Sequence, residues 1–438
     1  MRQHAYEIIR AALEAADPCK AVKRWVQVTG DRLRIAPDCD IRLGDFRRIF
    51  VVGGGKASAP MARALEDILG DRIEGGLICV KYGHGLALKK IRVVEAGHPI
   101  PDRNGEEATA CIISLLQSLG EDDLVISCIS GGGSALLPAA AEGITLQEKQ
   151  HLTNSLMAVG ADIHEMNAVR KHLSRSKGGN LMRFAHPAFV VNLMLSDVVG
   201  DDLDVIASGP FVADRSTFHD VTEILDRYGI LEQSPPAIVE RMRQGASGEL
   251  EETPKPGDPV FSRVLNVIVG SNRLSLVAAK GRAEQLGYAA LILSSSIEGD
   301  AEEAALFHAA VAREIRAWGD PVAVPACVLS GGETTVTLRG NGLGGRNQHF
   351  ALSLVKAASA IENCLFASVG TDGTDGPTDA AGAVTDTRTL ERAADLGLDA
   401  DAFLKNNDSY NFFRQLGDLV VTGPTLTNVM DVRIILLT

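Results

Sequence analysis

Two spacings of apolar residues alternate along the chain. Short continuous apolar runs predict buried strands at 48–52, 76–81, 91–95, 123–129 and 188–195. Between them apolar residues recur at helical spacing, over 4–26 with a break at Pro18, and over 56–69 and 106–119. A more helical stretch follows, at 145–159, 166–173, 179–184, 217–228 and 235–244. Past residue 259 the alternation resumes. Strands are predicted at 264–269, 289–293, 326–329, 364–369 and 428–437, a half-exposed strand at 333–338, and helices at 273–286, 300–318 and 345–360. Strands separated by helices imply α/β architecture, a parallel sheet covered on both faces.

Residues 246–259 break the pattern. They are rich in proline, glycine and acids and almost without apolar side chains, which predicts an exposed linker. With 438 residues the economical division is into two domains, 1–250 and 258–438.

The 44 glycines are in excess and they cluster where predicted strands end. Val52-Gly53-Gly54-Gly55-Lys56 joins a strand to a helix, and Ser130-Gly131-Gly132-Gly133-Ser134 follows another strand. Ser330-Gly331-Gly332-Glu333-Thr334 follows a third, and Gly340–Asn347 opens a helix. Glycine lets backbone N–H groups approach a phosphate closely, so at least two of the four loops are expected to bind one. Lys56 adds a full charge to the first. That loop is not a Walker A motif, because Phe50 and Ala57 stand where it needs glycine and Ser or Thr. It also lacks the third glycine of a dinucleotide fingerprint, and the following strand ends in Lys81-Tyr82 without a ribose-binding acid.

Acids occupy other strand ends. Asp197 and Asp372 are the first carboxylates after their strands, as a Mg²⁺–nucleotide site or a hydroxyl-orienting base requires. Asp201, Asp202 and Asp379 read equally well as turn residues. Arg346, after three glycines, suits carboxylate or phosphate. The basic run Arg170-Lys171-His172, with Arg175 and Lys177, reads as a solvated helix face, although Lys177-Gly178-Gly179 has the look of another anion loop.

The net charge of −13 argues against nucleic acid as partner and requires a local cationic site for any anionic substrate. Seven cysteines without C-x-x-C spacing suit a reducing compartment. The absence of a signal-like or long apolar segment points to a cytoplasmic protein with no membrane partner. Histidine spacing argues against a zinc protease, and Ser134 lacks the Gly-x-Ser-x-Gly elbow of a serine hydrolase.

Taken in order, the blocks Val52–Ala57, Gly97–Asp102, Ser130–Leu136, Leu195–Asp201, Ser208–Pro210, Ser330–Thr334, Gly344–Gln348 and Gly370–Gly376 resemble the ATP-dependent glycerate 2-kinase family, whose C-terminal module is of the MOFRL type. The resemblance implies an N-terminal Rossmann-like domain, a C-terminal mixed α/β domain, and an active site in the cleft between them. It implies transfer of a phosphoryl group from ATP to the 2-hydroxyl of D-glycerate, with Mg²⁺. Lys56 and Arg346 would balance phosphate and carboxylate charge, and Asp197 and Asp372 would hold Mg²⁺ or orient the hydroxyl. Gly54, Gly55 and Ser130–Ser134 (Ser130, Gly131, Gly132, Gly133, Ser134) would cradle phosphates, with Glu333, Asn347 and Asp375 contributing to binding. An NAD(P)H-dependent hydroxypyruvate reductase and a non-catalytic nucleotide-binding regulator remain alternatives, and a homodimer is among the assemblies left open.

Overall fold

The structure, a computed structural model, describes residues 1–37 and 39–438. It divides into two compact units, Pro18–Val269 and Met1–Asp17 with Gly270–Thr438.

The first unit is built on a six-stranded sheet. Its strands are β1 (Arg48–Gly54), β2 (Ile73–Lys81), β3 (Arg92–Ala96), β4 (Asp123–Ser130), β5 (Phe189–Leu195) and β6 (Val264–Gly270). They lie in the order β3-β2-β1-β4-β5-β6, and the β3/β2, β2/β1, β1/β4 and β4/β5 pairs are parallel. Every residue of β4 is buried, as a central strand covered on both faces demands. On one face Val52, Leu77, Val125 and Ile129 pack with Ile112 and Leu116 of the helix Arg103–Gln117. The Asp102 carboxylate caps that helix, accepting from Gly105 N at 3.0 Å. The chain leaves β1 toward β2 and returns on its other side as β4, so the strand order reverses between β1 and β4. Ligands of open α/β sheets bind outside the carboxyl ends of the strands at such a point. Helices between 146 and 246 form a separate apolar cluster around Leu152, Val169, Phe218 and Met242.

The second unit holds a mixed sheet of β7 (Ala289–Ile297), β8 (Ala326–Gly332), β9 (Cys364–Gly370), β10 (Gly382–Asp386), β11 (Leu419–Val420) and β12 (Asp431–Leu437), in the order β7-β8-β12-β9-β10-β11. β12 runs antiparallel to both neighbours, and its first residue, Asp431, pairs with Gly332 and with Gly370. The final strand therefore begins where β8 and β9 end.

The units differ from the expected domains in two places. Residues 264–269 complete the first sheet as β6 instead of opening the second domain. The helix Arg2–Ala16 belongs to the second unit, where Ala5, Ile8, Ile9 and Ala12 pack against Leu276, Ala279 and Ala283. The expected linker is tied down within the first unit. Glu252 meets His172 Nε2 at 3.0 Å and accepts from Phe218 N at 2.8 Å, and Thr253 Oγ1 donates to Asp214 at 2.9 Å. Polar partners, not apolar ones, hold this segment, which is why its composition read as free loop. Residues 333–338 form no strand; Thr335 makes only an isolated bridge with Asp300. The helix expected over 345–360 is two, Arg346–Ser353 and Val355–Ser359. A small antiparallel meander, Val26–Thr29, Arg32–Ile35 and Cys39–Arg42, was too short to register as a pattern. No helix of the described residues is long and apolar enough to cross a membrane.

Candidate active site

In the first unit, two of the glycine loops meet at the switch between β1 and β4. Lys56 N donates to Gly131 O at 2.9 Å and Ala57 N to Ser130 Oγ at 3.0 Å, stitching the loops together. Gly55 sits at φ +146°, and a Cβ there would fall 2.1 Å from Ser130 Oγ, so only glycine fits. A Cβ on Gly131 would lie 2.1 Å from Asp197 Oδ2, which places the Asp197 carboxylate directly over that backbone. A Cβ on Gly132 would be 2.9 Å from the His98 ring and 3.4 Å from Lys56 Cε. Lys56, Gly54, Gly55, Ser130–Gly133, Asp197 and His98 thus form one cluster. Among the described residues the Lys56 ammonium has no hydrogen-bond or ion-pair partner, although the side chain is partly buried. His98 is held down to about 4 by burial and by the charges of Lys56, Lys81 and His84, so its imidazole is neutral near pH 7. Ser134 is engaged by the protein: its Oγ lies 2.8 Å from Ser208 Oγ, and its carbonyl accepts from Lys177 Nζ at 2.7 Å.

In the second unit the other two glycine loops and the loop after β9 line a cavity of about 520 Å³, with Arg346, His349, Asp372 and Asp375 on its wall. Arg346 forks onto Asp431, with Nε at 2.8 Å from Oδ2 and Nη2 at 3.0 Å from Oδ1, and its Nη1 reaches Glu333 at 2.5 Å. Burial opposes its charge, but Asp431 and Glu333 outweigh burial and raise its pKa. Asp431, fully buried, also accepts from Asn347 Nδ2 at 2.9 Å and Arg433 Nη2 at 3.1 Å. The Asp375 carboxylate accepts from the backbone N–H groups of Asn347 at 3.0 Å and Gln348 at 2.8 Å. Burial nevertheless pushes Asp375 up to about 6. Asn347 is buried and wholly engaged, by Asp375, Asp431 and Ser368 Oγ at 2.6 Å. It positions the two acids from behind the wall. Asp372 Oδ1 accepts from Thr374 N at 3.0 Å, a turn contact that leaves the carboxylate at the cavity.

The basic run at 170–177 is not a solvated face. Lys171, His172 and Lys177 are buried, and Lys171 pairs with Asp204 at 2.8 Å and Asp214 at 3.2 Å. Asp379 accepts from Tyr410. Sequence reasoning missed Asp431 and His98 as site residues. Asp431 was legible as the one acid entering an apolar terminal run. His98 stood inside a quoted block without a role.

The family model described as a domain of unknown function, DUF4147, matches residues 4–243, and the MOFRL family model matches 326–431. The "Glycerate 2-kinase" of Pyrococcus horikoshii is 41% identical, over 100% of this chain and 98% of that protein. The chain belongs to the glycerate 2-kinase family. A crystal structure of glycerate kinase from Thermotoga maritima superposes with a TM-score of 0.89 at 40% identity, covering 100% of this chain and 99% of that one. An Agrobacterium vitis relative, 44% identical over 100% of this chain and 94% of its own length, bears the name "Putative hydroxypyruvate reductase". In this member of the glycerate 2-kinase family the MOFRL match ends on Asp431, the residue that braces Arg346.

Proposed function

We propose that the protein transfers the γ-phosphoryl group of ATP to the 2-hydroxyl of D-glycerate, giving ADP and 2-phospho-D-glycerate. The observation that carries the reading is the unpartnered Lys56 ammonium set over a triple-glycine loop at the switch between β1 and β4. Phosphoryl transfer asks a protein mainly to position the reactants and neutralise charge. Lys56 supplies a cation to the phosphates. Arg346, held in one orientation by Asp431 and Glu333, supplies a planar fork to the transferring group or to the glycerate carboxylate. The hydroxyl oxygen forms the new bond to phosphorus, the bond to the β–γ bridging oxygen breaks, and a carboxylate, Asp197 or Asp372, takes the hydroxyl proton.

Mg²⁺ needs only one or two protein carboxylates beside phosphate oxygens and water. Asp372 at its cavity wall and Asp197 over Gly131 each offer one, so these residues fit the ion, and Asp197 and Asp372 are the ones that would hold it. When bound it would offset phosphate charge. Seven unpaired cysteines support a reducing, cytoplasmic setting. The reductase alternative is not favoured, since the β1 loop lacks the third glycine and the ribose-binding acid.

The test is to incubate the protein with ATP, Mg²⁺ and D-glycerate and follow the product by phosphorus NMR. The 2-phosphate resonance is expected. The 3-phosphate would overturn the position of transfer, and unconsumed ATP would overturn the reading.

A further inference from the structure

A second cavity in the first unit, also about 520 Å³, opens beside the Ser130–Ser134 loop, between residues 98–101 and the helix Leu146–Ala158. Four basic side chains line it, His98, Lys149, Arg170 and Lys177, and no carboxylate does. Lys177 is 3% exposed and donates to the carbonyl of Ser134, at the end of the glycine loop. Neither Lys149 nor Arg170 has a hydrogen-bond or ion-pair partner among the described residues, and the carboxylate felt by Lys149 is that of Glu106. Converging cations without counter-charge are costly to keep in a half-buried site. Burial and the Arg170 guanidinium bring Lys149 down to about 7, and burial with Lys149 and Arg170 lowers Lys177 well below the usual lysine range. An anionic ligand reverses each of these effects. The rest of the wall mixes the neutral polar side chains of Gln150, Thr153 and Asn154 with an apolar part that is partly unpacked: Ile100 is 69% exposed and Met157 53% exposed.

We propose that this cavity takes the adenine nucleotide, its phosphates held by Lys149, Arg170 and Lys177 and its base covered by Pro99, Ile100 and Met157. The assignment rests on the kinase reading above and names the unit that carries the donor. Size supports it, because the volume lies in the range of about 300–1,000 Å³ that encloses drug-sized ligands and is far more than a three-carbon acid fills. Charge supports it too. The one arginine lining the cavity of the second unit is already matched by Asp431 and Glu333, which leaves that cavity less free positive charge for a polyphosphate.

The experiment titrates ATP into the full-length protein by calorimetry, without acceptor, for wild type, Arg170→Gln and Ile100→Asp, with KM measured for both substrates. Ile100 is exposed, so its replacement leaves the fold intact even where Arg170→Gln disturbs it. Loss of a charged hydrogen bond corresponds to about tenfold or more. ATP Kd and KM are therefore expected to rise about tenfold in Arg170→Gln, and by a similar factor of about ten in Ile100→Asp, which replaces the apolar cover of the base with a carboxylate, with the D-glycerate KM within about twofold. An unchanged ATP Kd in both overturns the assignment, as does a rise confined to the D-glycerate KM. Weakened ATP binding in variants of a protein whose wild type fails to phosphorylate D-glycerate would uphold the nucleotide site and refute the kinase reading instead.

Discussion

Replacing Asp431 by asparagine removes an acid that serves two guanidiniums, the half-buried Arg346 and the fully buried Arg433. In the wild type its oxygens receive Arg346 Nε at 2.8 Å, Arg346 Nη2 at 3.0 Å, Asn347 Nδ2 at 2.9 Å and Arg433 Nη2 at 3.1 Å. Asparagine keeps one acceptor oxygen, turns an N–H group toward donors, and leaves Arg433 without its carboxylate and Arg346 with Glu333 alone. Breaking a buried ion pair in this way costs about 3–5 kcal/mol. At about 2–4 °C per kcal/mol for a unit of this size, the calorimetric transition of the second unit should fall by about 10 °C. Turnover should fall as well, about 10²-fold in a coupled ADP-release assay, because Arg346 loses the partner that fixes its plane. Arg346→Met is the matched control. Asp431 then keeps Arg433 and Asn347, so turnover should drop at least as far with a smaller melting shift. The reasoning is refuted if Asp431→Asn melts within about 2 °C of wild type, or if Arg346→Met proves the more destabilising of the two.

Lys56→Met should lower kcat about 10²–10³-fold with little change in melting temperature, since the ammonium has no protein partner to lose; comparable loss of stability would contradict the geometry. Asp375, raised to about 6, favours the folded state in its protonated form, so its contribution is full below the unfolded value and is lost as pH rises through 6. Wild type should therefore gain melting temperature relative to Asp375→Asn as pH falls from 7 to 5, and parallel curves would refute the assignment. Glu252→Ala should free residues 246–259, raising the rate of cleavage by a glutamyl endopeptidase after Glu249, with about 1–3 kcal/mol lost from its contacts to His172, Lys255 and Phe218 N. Equal cleavage rates would show that these contacts do not hold the segment.

Most strands of the two sheets could be read from the sequence because buried strands are continuous apolar runs bounded by glycine, and β1, β4, β5 and β9 stand almost where the pattern puts them, whereas the short strands β10 and β11 at one edge of the second sheet carry no such run and were missed. Strand order could not be read, since no residue in β1 announces that β4 will lie beside it. The glycine loops were visible for the same reason as the strands, through close approaches that exclude any side chain. What stayed hidden is polar and non-local. Thr334, in the segment mistaken for a strand, is held by Arg433 from ninety-nine positions away. Lys149, Arg170 and Lys177 gather from two helices and a loop, and in one dimension the run at 170–177 looked like a solvated face.

The first helix of the chain is also the last to find its place. Its apolar stripe waits for Leu276 and Ala279, and its Arg2 for Asp386 at 2.6 Å and for Asp418, all of them made after the whole of residues 18–269. During synthesis the first unit can close its sheet while this helix still has no surface to cover. A shortened gene ending at 269 would release an N-terminal segment with Ala5, Ile8, Ile9 and Ala12 bare, an invitation to aggregation that starting at Pro18 would remove.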